Sequence, residues 1–213
     1  MKRIVYHVWT DVITPILLAA GASTRMGRPK ALLDFDGRTC LEVALEAVAG
    51  LDTPVVVLGP NRDEVRARVQ LDRAQVAVND DVASGQLASL KKGLELLPAG
   101  AEAFLFYPVD FPLVSRREIA RLVDASRAAT EKSIFVPSHQ MRRGHPVLCR
   151  REIAAEYGAL PAGASARAIL DARPGRIAYV LFDEAYILMD MDTPEDYARC
   201  LDAYRARGRR EER

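Results

Sequence analysis

An apolar run, Leu17-Leu18-Ala19-Ala20, stops in a loop of small residues, Gly21-Ala22-Ser23-Thr24. The loop then delivers two cations, Arg25 and Lys30. Small side chains let backbone N–H groups approach a ligand, and the two cations neutralise what lies there, so the chemistry suits phosphate. A glycine-rich turn with two solvated charges has the same composition, so other parts of the chain must decide. Two familiar nucleotide loops do not fit. The stretch has no GxGxxG. Gly21 and Gly27 resemble the ends of a Walker A loop, but Arg28 follows where that motif needs lysine, and Pro29 spoils the helix that such a loop must open into. Nothing in the chain resembles a Ser-His-Asp or Cys-His set, which weighs against nucleophilic catalysis.

The elements around this loop follow from pattern. Pro15 to Ala19, Val55 to Leu58, Gln75 to Val78 and Ala103 to Tyr107 are short continuous apolar runs, as expected of strands buried on both faces. Helices alternate with them. Thr39-Cys40-Leu41-Glu42 and Ser115-Arg116-Arg117-Glu118 read as capping boxes, Asn61 caps a third helix, and a fourth starts at Ser84 with Leu87, Leu90, Leu94 and Leu97 on one side. This alternation predicts an α/β fold: one Rossmann-like domain spanning 1–213, with a mostly parallel sheet flanked by helices on both faces. Ligands in such folds sit beyond the carboxyl ends of the strands. The glycine loop, Asn79 and Asp110 each follow a predicted strand, which gathers them along one edge.

The second half is less regular. Ser133 to Pro137 and Val147 to Cys149 read as strands around a polar loop with Arg142, Arg143, Gly144 and His145, and Ala164 to Leu170 as a short helix. Ile177 to Phe182 and Tyr186 to Met189 are spaced as a hairpin across Asp183-Glu184. Thr193-Pro194 opens a last helix. Residues 3–9 look strand-like within an N-terminal extension, 1–12, and the charged tail, 205–213, is expected to fray.

Bulk properties narrow the partners. Lys+Arg 30 against Asp+Glu 29 gives no basic excess, which speaks against a general nucleic-acid or membrane binder. No run is long enough to span a membrane. Three scattered cysteines, Cys40, Cys149 and Cys200, fit neither a disulfide framework nor a zinc site, and point to a cytoplasmic setting.

The stretch Leu18-Ala19-Ala20-Gly21-Ala22-Ser23-Thr24-Arg25-Met26-Gly27-Arg28-Pro29-Lys30 resembles the signature loop of the MobA/MocA-like nucleotidyltransferases, closest to the molybdenum cofactor cytidylyltransferase. Asn79 with Gly85 and Ser89, Val109-Asp110-Phe111-Pro112, Gly144-His145-Pro146-Val147 and Asp190-Met191-Asp192-Thr193-Pro194-Glu195-Asp196 match in order and spacing, so the likeness covers roughly 15–200. It implies the nucleotide-diphospho-sugar transferase type of fold and a Mg²⁺-dependent transfer of NMP from an NTP to a phosphorylated acceptor, with release of pyrophosphate. Leu18, Ala19, Ala20, Gly21, Ser23, Arg25, Lys30, Asn79, Gly85, Ser89 and Asp110 would then bind the nucleotide. Arg25, Lys30 and Asp110 would be catalytic, and Asp110 and Asp192 would hold the metal. Gly144, His145 and Arg167 would face the acceptor.

The likeness favours CTP and a molybdopterin-type acceptor. Guanylyl-transferring relatives tend to have Gly-Gly and Asp-Lys where this chain has Ala20-Gly21 and Pro29-Lys30. GTP, another acceptor such as a sugar phosphate, and a regulatory nucleotide-binding module stay open. The chain departs from the family's Gly-Asp-x-Gly-Ala-Arg at Ala162-Gly163-Ala164-Ser165-Ala166-Arg167, in the acceptor region. Individual residues also have plainer readings: Asp110 as a turn residue, Asp192 as support for the helix start, Asp190 as a rival ligand, Asn79 as a turn residue, Ser84 as an N-cap, His145 as a loop histidine and Arg167 as a surface charge.

Overall fold

A computed structural model describes residues 12–211, apart from 22, 82 and 84. The expected strand at 3–9 and the helix start at Ser84 lie outside these residues.

The sheet is built on β1 (Ile13–Ala19), an apolar strand wholly between its neighbours. It pairs in parallel with β4 (Val55–Leu58) on one side and β6 (Ala103–Pro108) on the other, and β4 pairs in parallel with β5 (Gln75–Val78). Beyond β6 the sheet continues through the antiparallel β9 (Val147–Arg150) to β7 (Ile134–His139) and the edge strand β10 (Ile177–Leu181). The two-residue β8 (Arg142–Arg143) folds back on β7, and β2 (Asp34–Phe35) with β3 (Arg38–Thr39) makes a separate small hairpin.

Side chains alternate along the strands, so the sheet feeds two cores. On one face Leu17, Val56, Leu58, Leu105 and Tyr107 pack with α1 (Cys40–Ala47), α2 (Arg62–Arg68) and α4 (Arg116–Ala128). On the other, Ile16, Leu18, Val57, Phe104 and Phe106 pack with α3 (Gly85–Leu94), α5 (Ile153–Ala159) and α6 (Arg167–Ala172). A third cluster, with Leu33, Phe35, Cys40, Val43, Met191 and Cys200, seats the last helix, α7 (Pro194–Glu211), against the small hairpin and α1.

Both predicted capping boxes form: Thr39 with Glu42, and Ser115 with Glu118. Three expectations need correction. Asn61 precedes α2 but its side chain makes no capping bond. Tyr186 to Met189 is not the return strand of a hairpin: Ala185–Leu188 is a single 3-10 turn, because Ile187 must bury itself and its carbonyl must receive the His145 N–H. Up to Glu211, the last described residue, the tail from Arg205 does not fray. α7 continues to Glu211, Arg205 pairs with Asp36, and buried Arg207 donates to the Leu113 carbonyl, the Ser115 hydroxyl and the Glu118 carboxylate. Its charges are tertiary contacts, which local composition does not reveal. Helix α5 was not foreseen.

Candidate active site

The chain runs from β1 to β4 and β5 on one side and returns to β6 on the other, so the strand order reverses between β1 and β6. That reversal opens a crevice at the carboxyl ends of the two central strands. The loop after β1 and the loop after β6 face each other across it.

The first loop is folded by its own serine. Ser23 adopts a left-handed conformation (φ 51), its hydroxyl bonds the Gly21 carbonyl at 3.3 Å, and it accepts the Lys30 N–H at 3.0 Å. This closes the loop and returns Lys30 to the strand end. No long helix follows the glycines: two single 3-10 turns do, Thr24–Met26 and Lys30–Leu32, as Pro29 requires. Buried Ala31 and Leu32 anchor the second turn.

Across the crevice, the Val109 N–H bonds the Leu18 carbonyl at 3.1 Å and Val109 is buried, which turns Asp110 toward the loop. The Asp110 carbonyl accepts the Met191 N–H at 3.1 Å, so the segment that precedes α7 lies beside β6. Met191 is buried in the third cluster, and Asp192 comes forward next to Asp110. The helix start is served by Asp196, not Asp192: its Oδ2 accepts the Thr193 N–H at 2.9 Å, and the Thr193 hydroxyl accepts the Asp196 N–H at 3.2 Å. Asp192 is left for other work.

Four charges converge there. Lys30 Nζ lies 3.2 Å from Asp110 Oδ2 and 2.6 Å from Asp192 Oδ1, and Arg25 reaches Asp192 Oδ2 at 2.9 Å. Burial works against the Lys30 ammonium, yet the two carboxylates outweigh it and hold its pKa above the ordinary value. Burial raises the Asp110 carboxyl above its usual range despite Lys30, while the bond from Lys30 lowers Asp192. Asp110 Oδ1 is buried with no hydrogen-bond partner. Such a group calls for a partner that the protein itself does not supply.

Two clefts meet at these carboxylates. The first, about 280 Å³, is lined by Leu18, Ala19, Ala20, Gly21, Ser23, Arg25, Lys30, Gly85, Ser89, Asp110 and Asp192. The second, about 320 Å³, is lined by Gly144, His145 and Arg167, with Arg143, Asp190 and an aromatic wall of Phe106, Phe111 and Tyr157. Among the described residues the two clefts share Gln86, Asp110 and Asp192. A larger cleft of about 460 Å³ lies between α1, α4 and α7, but its one acidic lining residue, Glu46, is paired with Arg38.

Every residue expected at the nucleotide site lines the first cleft except Asn79. Asn79 is buried behind it, accepting the Asp81 N–H at 3.1 Å and donating to the Ser89 hydroxyl at 2.9 Å. It orients Ser89, which does line the cleft. In the second cleft Gly144 is where the chain passes closest to Ile187: a Cβ there would sit 2.4 Å from the Ile187 carbonyl oxygen. Bonds from the Gly144 N–H to Pro137 and from the His145 N–H to Ile187 fix the backbone, and the imidazole packs 5.3 Å from Phe106 and 4.7 Å from Phe111. Burial, and then the Arg167 charge, lower the His145 pKa to about 4, so the ring is neutral near pH 7. Gln86, Arg143 and the aromatic wall were missed in sequence. Arg143, held by Asp171 at 2.6 Å and the Tyr179 hydroxyl at 3.1 Å, sat in a noted polar loop, whereas nothing singled out Gln86.

Two carboxylates, Asp110 just beyond β6 and Asp192 just before α7, one with an orphaned oxygen, suit a hard divalent cation that completes its shell with phosphate oxygens and water. Among the described residues no group of three or more Asp, Glu, His or Cys forms an all-protein cage. None of the described helices is long and apolar enough to cross a membrane.

Comparison with known proteins bears on the family and the fold. The profile of the MobA-like NTP transferase domain matches residues 15–177. Nicotine blue oxidoreductase of Paenarthrobacter nicotinovorans is 34% identical over 198 residues, covering 89% of this chain and 96% of that protein. A probable molybdenum cofactor guanylyltransferase of Bacillus anthracis is 32% identical over 126 residues, covering 57% of this chain and 60% of that protein. Among solved structures, Rv0371c of Mycobacterium tuberculosis superposes with a TM-score of 0.78 at 30% identity, covering 89% of this chain and 98% of that one. A manganese complex of the same protein gives a TM-score of 0.73 at 28% identity, covering 90% of this chain and 98% of that one. The chain belongs to the MobA-like NTP transferase family, and its fold and activity class are those of a nucleotidyltransferase.

Proposed function

We propose that this protein transfers CMP from CTP to the phosphate of a molybdopterin-type acceptor, with Mg²⁺ held by Asp110 and Asp192. The observation that carries the reading is the meeting of two unlike clefts at Asp110, Asp192 and Gln86. One is a polyanion grip and the other an aromatic slot with a neutral imidazole and two arginines. A planar heteroaromatic with a phosphate fits the second. The reducing cytoplasm suits three buried, unpaired thiols.

The residues act by position and charge. A phosphate monoester is mostly ionised at pH 7, so the acceptor oxygen attacks the α-phosphorus without a protein base. The bond from the α-phosphorus to the bridging oxygen breaks, and pyrophosphate leaves with the electron pair. Lys30, in the first cleft between Asp110 and Asp192, neutralises charge that grows on the α-phosphoryl oxygens. Arg25, at the exposed mouth, meets the leaving pyrophosphate. The cation, when bound, adds Lewis-acid stabilisation of the same charge. Gly144 and His145 seat the acceptor, and Arg167 meets its anionic end.

Ala20, which lines the first cleft, supports the choice of CTP, because guanylyl-transferring relatives tend to have Gly-Gly where this chain has Ala20-Gly21. An NTP panel with Mg²⁺, read as pyrophosphate release with and without molybdopterin or a sugar phosphate, tests the reading. CTP with molybdopterin is expected to give the highest rate. A GTP optimum would overturn the base assignment, release with sugar phosphates alone the acceptor, and no release the transfer itself.

One observation favours a second reading: the relative matched over nearly its whole length is an oxidoreductase named for nicotine blue. The aromatic slot would hold a planar pigment, and the nucleotide cleft a reduced nicotinamide dinucleotide as electron donor. Pigment-dependent loss of the reduced nicotinamide, without pyrophosphate release from any NTP, would establish that activity instead.

A further inference from the structure

We infer that Lys30 and Arg25 are not only the grip for phosphate but also a latch on the metal carboxylates, so that metal and nucleotide enter this site by exchanging partners with it. The inference rests on the proposed transferase reading and concerns how that site is loaded.

The geometry is specific. Both oxygens of Asp192 are engaged, Oδ1 by Lys30 at 2.6 Å and Oδ2 by Arg25 at 2.9 Å. The same Lys30 ammonium also lies 3.2 Å from Asp110 Oδ2. Two cations and two anions thus pair with one another, with Lys30 at their centre and mostly buried, and the Asp190 carboxylate stands nearby without a contact to either cation. Of the oxygens of Asp110 and Asp192, the only one outside these pairs is the buried, unpartnered Oδ1 of Asp110.

Each ligand arriving alone meets a penalty. A divalent cation must dislodge two positive charges from the oxygens it needs and then share the site with them. A triphosphate without metal draws Lys30 and Arg25 away, leaving two adjacent half-buried carboxylates uncompensated, which like-charge repulsion and desolvation both oppose. Arriving together, they let every charge keep a partner: phosphate oxygens take the cations, and the metal takes the carboxylates. Each ligand therefore strengthens the other's binding, by equal factors because the coupling is a single free energy.

The test uses Mn²⁺ as the metal, read by the electron paramagnetic resonance of the unbound aqua ion. The nucleotide is α,β-methylene CTP, which cannot release pyrophosphate, with its own Mn²⁺ binding accounted for. Wild-type protein is expected to bind Mn²⁺ alone weakly, and at least tenfold more tightly with the analogue present. Lys30→Met keeps the length of the side chain and removes the charge; it is expected to bind Mn²⁺ alone at least fivefold more tightly than wild type, with the coupling shrunk toward unity. Arg25→Gln, at an exposed position that frees one oxygen of Asp192, is expected to give a smaller gain and guards against a folding defect in the first variant. Wild-type Mn²⁺ affinity that ignores the analogue, no Mn²⁺ binding under any condition, or equal or weaker Mn²⁺ binding by both variants would overturn the latch. Coupling together with tighter Mn²⁺ binding by the variants, but no pyrophosphate release from any NTP and acceptor, would leave the latch standing and sink the transferase reading.

Discussion

Asp110 has two properties that a turn residue does not need: a buried oxygen with no partner and a contact with Lys30. Its carboxyl is held above the usual range by burial, so the charge is costly to the fold and must be kept for another reason. Asp110→Asn is therefore expected to cut turnover by about 10²–10³-fold, as loss of a charge-stabilising group in the transition state does. Its denaturation midpoint should stay close to wild type, because the variant removes a desolvated charge; matching turnover would reduce Asp110 to a turn residue. His145 makes a pH prediction. Its folded pKa of about 4 lies below that of an unfolded histidine, so between the two values the unfolded chain takes up a proton that the folded chain refuses. The resulting stability is fully present above about pH 6.5 and is lost progressively as pH falls toward 4. Wild type should lose on the order of 3 kcal/mol more than His145→Asn over that window, measured by urea unfolding at a series of pH values.

At the scale of elements, the site depends on contacts between segments far apart in sequence. Helix α7 presents Asp192 because Asp196 closes its first turn and Met191 is buried at its foot. Asp196→Ala should lower the midpoint of chemical denaturation and should lower turnover through a loosened Asp192. The other end of α7 is fastened by buried Arg207 on Glu118 at 3.1 Å. Arg207→Met leaves that carboxylate uncompensated and should cost about 3–5 kcal/mol in the same assay. The run 205–213 reads locally as a fraying tail because seven of its nine residues are charged; only the packed position of α4 makes Arg207 a core contact. The strand at Val55–Leu58, by contrast, was legible to the residue. A continuous apolar run of three valines and a leucine, bounded by Thr53-Pro54 and Gly59-Pro60, has few other structures open to it. Tyr186 to Met189 has the same apolar character, yet it coils, because the neighbouring chain at Gly144-His145 claims the Ile187 carbonyl.

For the whole molecule, what matters is that the strand order reverses beside β1 and opens one crevice onto two adjoining clefts. The clefts adjoin at Gln86, Asp110 and Asp192 but do not overlap elsewhere among the described residues. On the proposed reading both substrates are held at once, and no side chain among the residues shared by the clefts, Gln86, Asp110 and Asp192, is an activated nucleophile. Steady-state kinetics should show intersecting rather than parallel lines in double-reciprocal plots. Labelled pyrophosphate should not exchange into NTP without acceptor; such exchange would reveal an enzyme-bound nucleotidyl intermediate.

The sequence by itself determined the alternation of strands and helices and the small-residue loop after β1, which are written in local patterns: apolar runs, glycine and proline punctuation, and capping pairs. The set Arg25, Lys30, Asp110 and Asp192 was legible only through the resemblance of its motifs to those of a known family. Only the tertiary structure decided that Asn79 stands behind Ser89 and that Gln86 belongs to both clefts. It also decided that the two cations already hold the two carboxylates. Those outcomes depend on how strands distant in the chain register across the sheet, and on charges meeting at 3 Å or so across that register, which no window of sequence contains.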